Sequence, residues 1–168
     1  MGEARPDAAR RNKTKNSQCS CTELRKAGRR LSQLYDTALA PCGLRTTQRA
    51  ILSHIVRAGT PSMGELAEAL VMDRGALAHN LKPLERDGLV EIQVDSKDRR
   101  NRLVALTSAG RATLAESDMF WACAQRGFEA ALGSVPSASL REALRLIISD
   151  SFASTFEHAA QIAGVPEG

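Results

Sequence analysis

Apolar and polar positions follow two different periods along this chain, and the points where the period changes mark its architecture. Between Cys21 and Ala40 the apolar positions Leu24, Ala27, Leu31, Leu34, Tyr35 and Ala38 recur every three or four residues. This predicts an amphipathic helix that ends before Pro41 and Gly43. Thr46 or Thr47 is placed to cap a second helix carrying Ile51, Leu52, Ile55 and Val56, which Gly59-Thr60-Pro61 stops. Ser62 and Glu65 have the capping-box spacing and open a short third helix through Leu66 and Leu70. Asp73 caps a fourth, whose apolar face is Leu77, Leu81 and Leu84 and whose end is marked by Gly88.

Beyond Gly88 the period drops to two. Val90, Ile92 and Val94 precede the polar stretch DSKDRRN, and Leu103 to Leu106 follow it, which predicts a β-hairpin with a charged tip. Thr107 then caps a long helix reaching about Leu132, with Leu114, Trp121 and Phe128 seven residues apart, and Gly133 to Pro136 break it. One last helix is expected from Ser137 to about Ala160, carrying Leu140, Leu144, Ile147, Ile148, Phe152 and Phe156. The fold class is therefore mainly α with a small β-hairpin wing. Residues 44–107 form a winged helix-turn-helix, and residues 18–42 and 108–162 form N- and C-terminal dimerisation helices. Those end helices carry more apolar surface than one small module covers, so they are expected to pack against the first helix of a second subunit, making a homodimer.

In a winged helix-turn-helix the last helix of the trio enters the major groove of double-stranded DNA and the hairpin reaches the neighbouring minor groove. With Leu77, Leu81 and Leu84 inward, steps of about 100° place Gly75, His79, Lys82 and Arg86 on the opposite face and Arg74, Ala78 and Asn80 on its flanks. Asn80 has the donor and acceptor pair suited to adenine, His79 can donate to guanine, and Arg74 suits a base edge or a phosphate. Lys82 and Arg86 are expected on phosphates, which give affinity without sequence information. Pro83 removes the amide that would bond to the carbonyl of His79, so a local bend is expected there.

The segments TTQRAILSHI, SMGELAEALVMDRGALAHNLKPLERDGLVE and DRRNRLVALTSAGR resemble the multiple antibiotic resistance regulator (MarR) family in order, spacing and loop lengths, over about residues 19–160. The resemblance implies that Asp98 orients Arg100 for the minor groove, with Lys97, Arg99 and Arg102 as phosphate neighbours. Gly75 stands where similar proteins often carry a hydroxyl residue. The resemblance also implies a repressor released by a small aromatic or phenolic ligand, bound in the crevice between the reading module and the dimer helices. Arg30, Tyr35, His54 and Trp121 are the candidate lining residues.

A second sensing mechanism is thiol chemistry. Cys21 lies 27 residues before Gln48 and Tyr35 lies 13 before it, a register similar to the reactive-cysteine helix of organic hydroperoxide regulators. Cys123 falls where the two-cysteine branch of that group has its second thiol, and Arg25 one turn beyond Cys21 favours a thiolate. Thr46, however, stands where those sensors have a second tyrosine, and the reading adopted here is thiols that pack, with release by a small ligand.

Composition narrows the remaining classes. A chain of 168 residues with 43% apolar content suffices for one domain with a real core. No apolar run approaches the roughly 20 residues of a membrane span, and no secretory stretch is seen, so the cytoplasm is expected. Its four cysteines are then expected to be reduced thiols. Residues 1–17 read as a basic arm: up to residue 16, Arg5, Arg10, Arg11, Lys13 and Lys15 face only Glu3 and Asp7, which suits DNA or simple solvation. Cys19 and Cys21 supply two of the four ligands a structural zinc needs, and neither a phosphate loop nor a nucleophile elbow appears. No metal, cofactor or catalysis is expected. A protein-interaction module using the winged fold without DNA is the remaining class, and it has no need for Asp98 and Arg100.

Overall fold

The computed structural model describes residues 19–164; the expected basic arm at 1–17 lies outside them. The elements run α1 (Ser20–Leu39), a single 3-10 turn (Ala40–Cys42), α2 (Thr46–Ala58), α3 (Met63–Ala69), α4 (Arg74–Arg86), β1 (Val90–Val94), β2 (Arg102–Leu106), α5 (Ser108–Leu132), α6 (Ser134–Ile148) and α7 (Asp150–Ile162). Among the described residues no helix is long and apolar enough to cross a membrane.

Local chemistry sets most of these boundaries. Ser62 Oγ accepts from the Glu65 amide while the Glu65 carboxylate accepts from the Ser62 amide, closing a capping box at the start of α3. Asp73 accepts from the Ala76 amide at 2.7 Å and caps α4. That helix ends at Gly88, whose φ of 69° lets the Leu89 amide turn back to the Leu84 carbonyl at 2.8 Å. Thr107 Oγ1 accepts from the Gly110 amide to cap α5 and donates to the Gly88 carbonyl, so one hydroxyl ties the wing to the helix that follows it.

Two boundaries differ from the expectation. The start of α2 is not capped by Thr46 or Thr47: Arg45 holds the capping position, its amide donating to Gln48 Oε1. The Thr46 amide goes instead to Asp36 of α1 at 2.7 Å, because a carboxylate is the stronger acceptor and the 3-10 turn brings it there. The segment after α5 is two helices rather than one. Ser149 is extended and its hydroxyl accepts from the Phe152 amide, while Asp150 favours the new N-terminus, so the capping chemistry of Ser-Asp outweighs continuation of an apolar stripe. The helix before it begins at Ser134, since Pro136 falls in its first turn, where a missing amide costs nothing. Pro83 lies inside α4, which runs on to Arg86.

The hairpin pairs Val90 with Leu106, Ile92 with Val104 and Val94 with Arg102 in an antiparallel ladder. Its second strand also receives the turn before α3, where the Val104 amide donates to the Pro61 carbonyl. One hydrophobic cluster then joins three helices and the wing: Ile51, Leu52 and Ile55 of α2, Leu66 of α3, Leu77, Leu81 and Leu84 of α4, and Val90, Val104 and Leu106 of the strands. Each such side chain contributes about 1.5–3 kcal/mol by leaving water, which makes the reading module rigid. Around it, α5 packs on α1 and α2 and α6 packs on α5. Leu34, Met119, Leu132, Ile148, Phe156 and Ile162 on these outer helices stay exposed in the protomer.

Candidate nucleic-acid interface and adjoining cavity

The capped start of α4 and its three buried leucines fix its orientation, so Arg74, Gly75, His79, Lys82 and Arg86 are all turned to solvent. A Cβ on Gly75 would stand 3.1 Å from the capping Asp73 carboxylate, so the glycine leaves the cap uncrowded. Asn80 is half-buried, and its Nδ2 donates to the Ala76 carbonyl at 2.8 Å. One amide N–H is thus anchored to the helix, leaving the second N–H and Oδ1 as the donor and acceptor pair on its outer side. The Arg86 guanidinium is forked onto its neighbour Asp87 at 2.8 and 3.3 Å, which holds the Asp87 carboxyl below the usual range. The pair is solvent-exposed and screened, so the guanidinium stays free to exchange partners. Arg45 and Gln48 from the start of α2 share one depression with His79, Asn80, Pro83 and Arg86. Sequence reasoning missed Arg45 because its neighbours there are set by how α2 packs on α4.

The wing tip is built from short-range bonds. Asp98 Oδ1 accepts from the Arg100 amide at 3.0 Å and from its Nε at 3.2 Å, and Oδ2 accepts from the guanidinium at 3.4 Å. These bonds, the backbone one foremost, hold the Asp98 carboxyl below the usual carboxylate range. The Arg100 side chain is 91% exposed, so it projects while its base is oriented. Arg99 is exposed beside it, Arg102 donates to the Arg99 carbonyl, and Lys97 closes a turn through its amide to Asp95.

A cavity of about 330 Å³ lies between α1, α2, α5 and α6, with Tyr35, Thr46, Arg49, Trp121, Gln125 and Arg141 in its wall. Tyr35 and Trp121 are where the expectation put them. Arg30 is not: it is one residue off the stripe through Leu31 and Tyr35 and faces solvent. His54 is not there either. It lies a turn further along α2, against the Ala50 carbonyl and Arg57, and borders a separate depression with Glu65. The cations that do line the cavity are Arg49 and Arg141, the latter paired with Glu129 at 3.0 Å. Burial pushes the Tyr35 phenol up, with Arg141 partly opposing it, so the group is a neutral hydrogen-bond donor at physiological pH. Thr46 Oγ1 is buried there without a hydrogen-bond partner, which costs stability unless something polar enters. Arg49 and Arg141 left no signal in the sequence because their partners lie on another helix.

The expectation of thiols that pack holds in the protomer for Cys42, which is half-buried against the core, whereas Cys21 and Cys123 are exposed there. Cys19, at the head of α1, has its thiol pKa lowered chiefly by hydrogen bonding from Thr22. Among the described residues, no group of three or more His, Cys, Asp or Glu side chains is gathered to hold a metal ion.

Comparison with known proteins gives one consistent picture. A family model described as the MarR family matches residues 43–101. The chain is 30% identical to the HTH-type transcriptional repressor NicR of Pseudomonas putida over 112 residues, which span 67% of this chain and 69% of NicR. It is 42% identical over 72 residues to the transcriptional activatory protein BadR of Rhodopseudomonas palustris, a match spanning 41% of either chain. Its fold superposes on the crystal structure of the M. tuberculosis transcriptional regulator MosR in complex with DNA with a TM-score of 0.69 and 32% identity. That superposition covers 88% of this chain and all of the MosR chain.

Proposed function

The chain belongs to the MarR family of DNA-binding transcription regulators, and from that premise we propose that it is a homodimeric repressor that a small aromatic or phenolic anion releases from its operator. The carrying observation is the wing, where Asp98 fixes the base of an otherwise exposed Arg100. A solvated hairpin needs no such fork, whereas an arginine presented to a minor groove gains from orientation before contact. On this reading Arg74, His79 and Asn80 face bases, while Lys82, Arg86, Arg99 and the newly found Arg45 face phosphates. NicR, which matches over two thirds of both chains and is named a repressor, supports repression over the activation named for BadR, whose match is shorter.

The effector half of the proposal rests on the cavity. Trp121 and Tyr35 supply flat apolar walls, and Arg49, Arg141, the Tyr35 hydroxyl and the unpartnered Thr46 hydroxyl supply polar groups suited to a carboxylate or phenolate. The test is fluorescence anisotropy of the full chain on a duplex that it selects, titrated with salicylate and benzoate. Release by either at concentrations that leave a cyclohexanol control without effect is the expected result. Retention of DNA throughout, with no ligand-dependent change in the protein, would sink the effector half and leave the DNA half standing.

A thiol response through Cys21 with Cys123 is the second reading, favoured by one observation: both thiols are open to solvent and so within reach of a peroxide. Oxidative release that Cys21→Ser abolishes, with a covalent dimer requiring Cys123 on non-reducing gels, would establish it. A Cys21→Ser protein that responds as wild type would exclude it.

A further inference from the structure

Arg49 belongs at once to the reading module and to the helical frame. Its backbone sits on α2, one of the three helices whose apolar faces close the core with α4. Its guanidinium is spent on α5: Nε donates to Ser117 Oγ at 3.0 Å, a terminal nitrogen donates to the Asp118 carboxylate, and the group's carbon lies 4.6 Å from the centre of the Trp121 ring. Ser117 is fully buried and its hydroxyl also donates to the Leu114 carbonyl, which fixes the acceptor lone pair. The same guanidinium is part of the cavity wall. Every polar bond that this side chain makes is thus a tie between two layers that an occupant of the cavity can reach.

The tie is unequal in its burial. The Arg49 side chain is only 12% exposed, whereas that of Asp118 is 65% exposed. A well-hydrated carboxylate gains little from a partner, since solvent screens it and already satisfies its oxygens. A carboxylate held inside the cavity is screened far less and meets the guanidinium in its preferred forked geometry. In the exchange Asp118, already 65% exposed, returns to water at small cost.

We propose that Arg49 is the residue that converts effector binding into DNA release, by exchanging Ser117 and Asp118 of α5 for the anionic group of the effector. The inference rests on the reading of the cavity as the effector site. It adds the element that moves: when the tie breaks, α2 is freed from α5, and the shared core carries α4 with it because Ile51, Leu52 and Ile55 are packed in one cluster with Leu77, Leu81 and Leu84. The tied state is then the DNA-binding state and the untied state the ligand-binding state. Linkage makes the two effects reciprocal, so a variant that unties Arg49 must weaken DNA binding and strengthen effector binding together.

That pairing of signs is the test. DNA affinity is measured by anisotropy for wild type, Asp118→Asn, Ser117→Ala and Arg49→Lys, all as the full chain. Salicylate binding without DNA is read from the fluorescence of Trp121, the one tryptophan in the sequence. Asp118→Asn alters an exposed side chain, so the fold is retained, and removing a negative charge would on simple electrostatics tighten DNA binding. The cross-tie predicts the opposite: DNA binding about 3- to 10-fold weaker without ligand and salicylate binding tighter by a similar factor, within the usual range of such couplings. Ser117→Ala should shift both in the same directions. Arg49→Lys keeps the charge but not the fork, so it should still bind salicylate and show a ratio of DNA affinities with and without salicylate close to one. Wild-type DNA affinity and wild-type coupling in Asp118→Asn and Ser117→Ala would overturn the proposal. Should salicylate leave Trp121 of the wild type unchanged, the effector reading fails on its own. The ligand-free DNA affinities then still decide the cross-tie, weaker binding upholding it and unchanged binding overturning it.

Discussion

At the scale of single residues, the wing and the cavity show opposite relations between sequence and site. Asp98 and Arg100 are two positions apart, so their bonds are a matter of local geometry; the resemblance carried by DRRNRLVALTSAGR implied the pairing, and the bonds and the exposed arginine are present in the structure. Arg100→Ala should weaken operator binding by about 1–3 kcal/mol, the worth of a desolvated groove contact, measured as the ratio of Kd values at fixed salt. Asp98→Asn should weaken it less, since the contact survives and only its orientation is lost. Because the Asp98 carboxyl is held below the ordinary range, its orienting effect is present above that range, about pH 4, and lost only as pH falls through the lowered value. Binding near neutral pH should therefore show no titration from the wing. On the recognition helix, Lys82→Ala should lower affinity evenly across sequences and reduce the slope of log Kd against log salt by about one. A base-dependent effect of that substitution would place Lys82 on a base instead. Arg49 and Thr46 show the limit of reading a sequence: their partners are 68 or more positions away for Arg49 and absent for the Thr46 hydroxyl. Periodicity marks which side of a helix is buried, but not which polar side chain lies against which neighbour.

Among the elements, those with local start and stop signals were readable and those decided by competition were not. Ser62, Asp73, Thr107 and Gly88 each do what their residue type and spacing imply. The start of α2 was missed because Gln48 accepts from the Arg45 amide and Asp36, on another helix, accepts from the Thr46 amide, so the helix opens one residue ahead of a threonine cap. The break at Ser149 was missed because the apolar stripe continues through it, and a stripe alone does not show where a capping serine interrupts the backbone ladder. The junction of wing and α5 carries the sharpest prediction at this scale. A Cβ at Gly110 would run into the Leu89 carbonyl and the Leu106 side chain, and the obstacle is backbone, which cannot swing aside. Gly110→Ala should therefore destabilise the fold by about 1–3 kcal/mol, seen as a lower urea midpoint with the slope unchanged. A midpoint at or above that of wild type would show that α5 does not dock on the wing as described.

For the whole molecule, the balance of surfaces decides the assembly. The core of the reading module is closed within one chain, while Leu34, Met119, Leu132, Ile148, Phe156 and Ile162 remain exposed on the outer helices, more than a monomer keeps without use. In the proposed homodimer two reading modules would face DNA across a two-fold axis. The basic stretch at residues 1–16 adds charge, and among the described residues the core draws on residues 44–106. Deleting residues 1–16 should leave the melting temperature unchanged and weaken DNA binding only at low salt, where its five cations against two anions are unscreened. A lowered melting temperature would make the stretch part of the structure. The most direct test of the whole account is selection of bound duplexes from a random pool by the full chain, followed by footprinting of the winner. The account predicts one enriched pseudo-palindrome whose half-sites lie about one helical turn, roughly 34 Å, apart and which is occupied by two chains. A pool that shows no enrichment, or a single unrepeated half-site held by one chain, would contradict it.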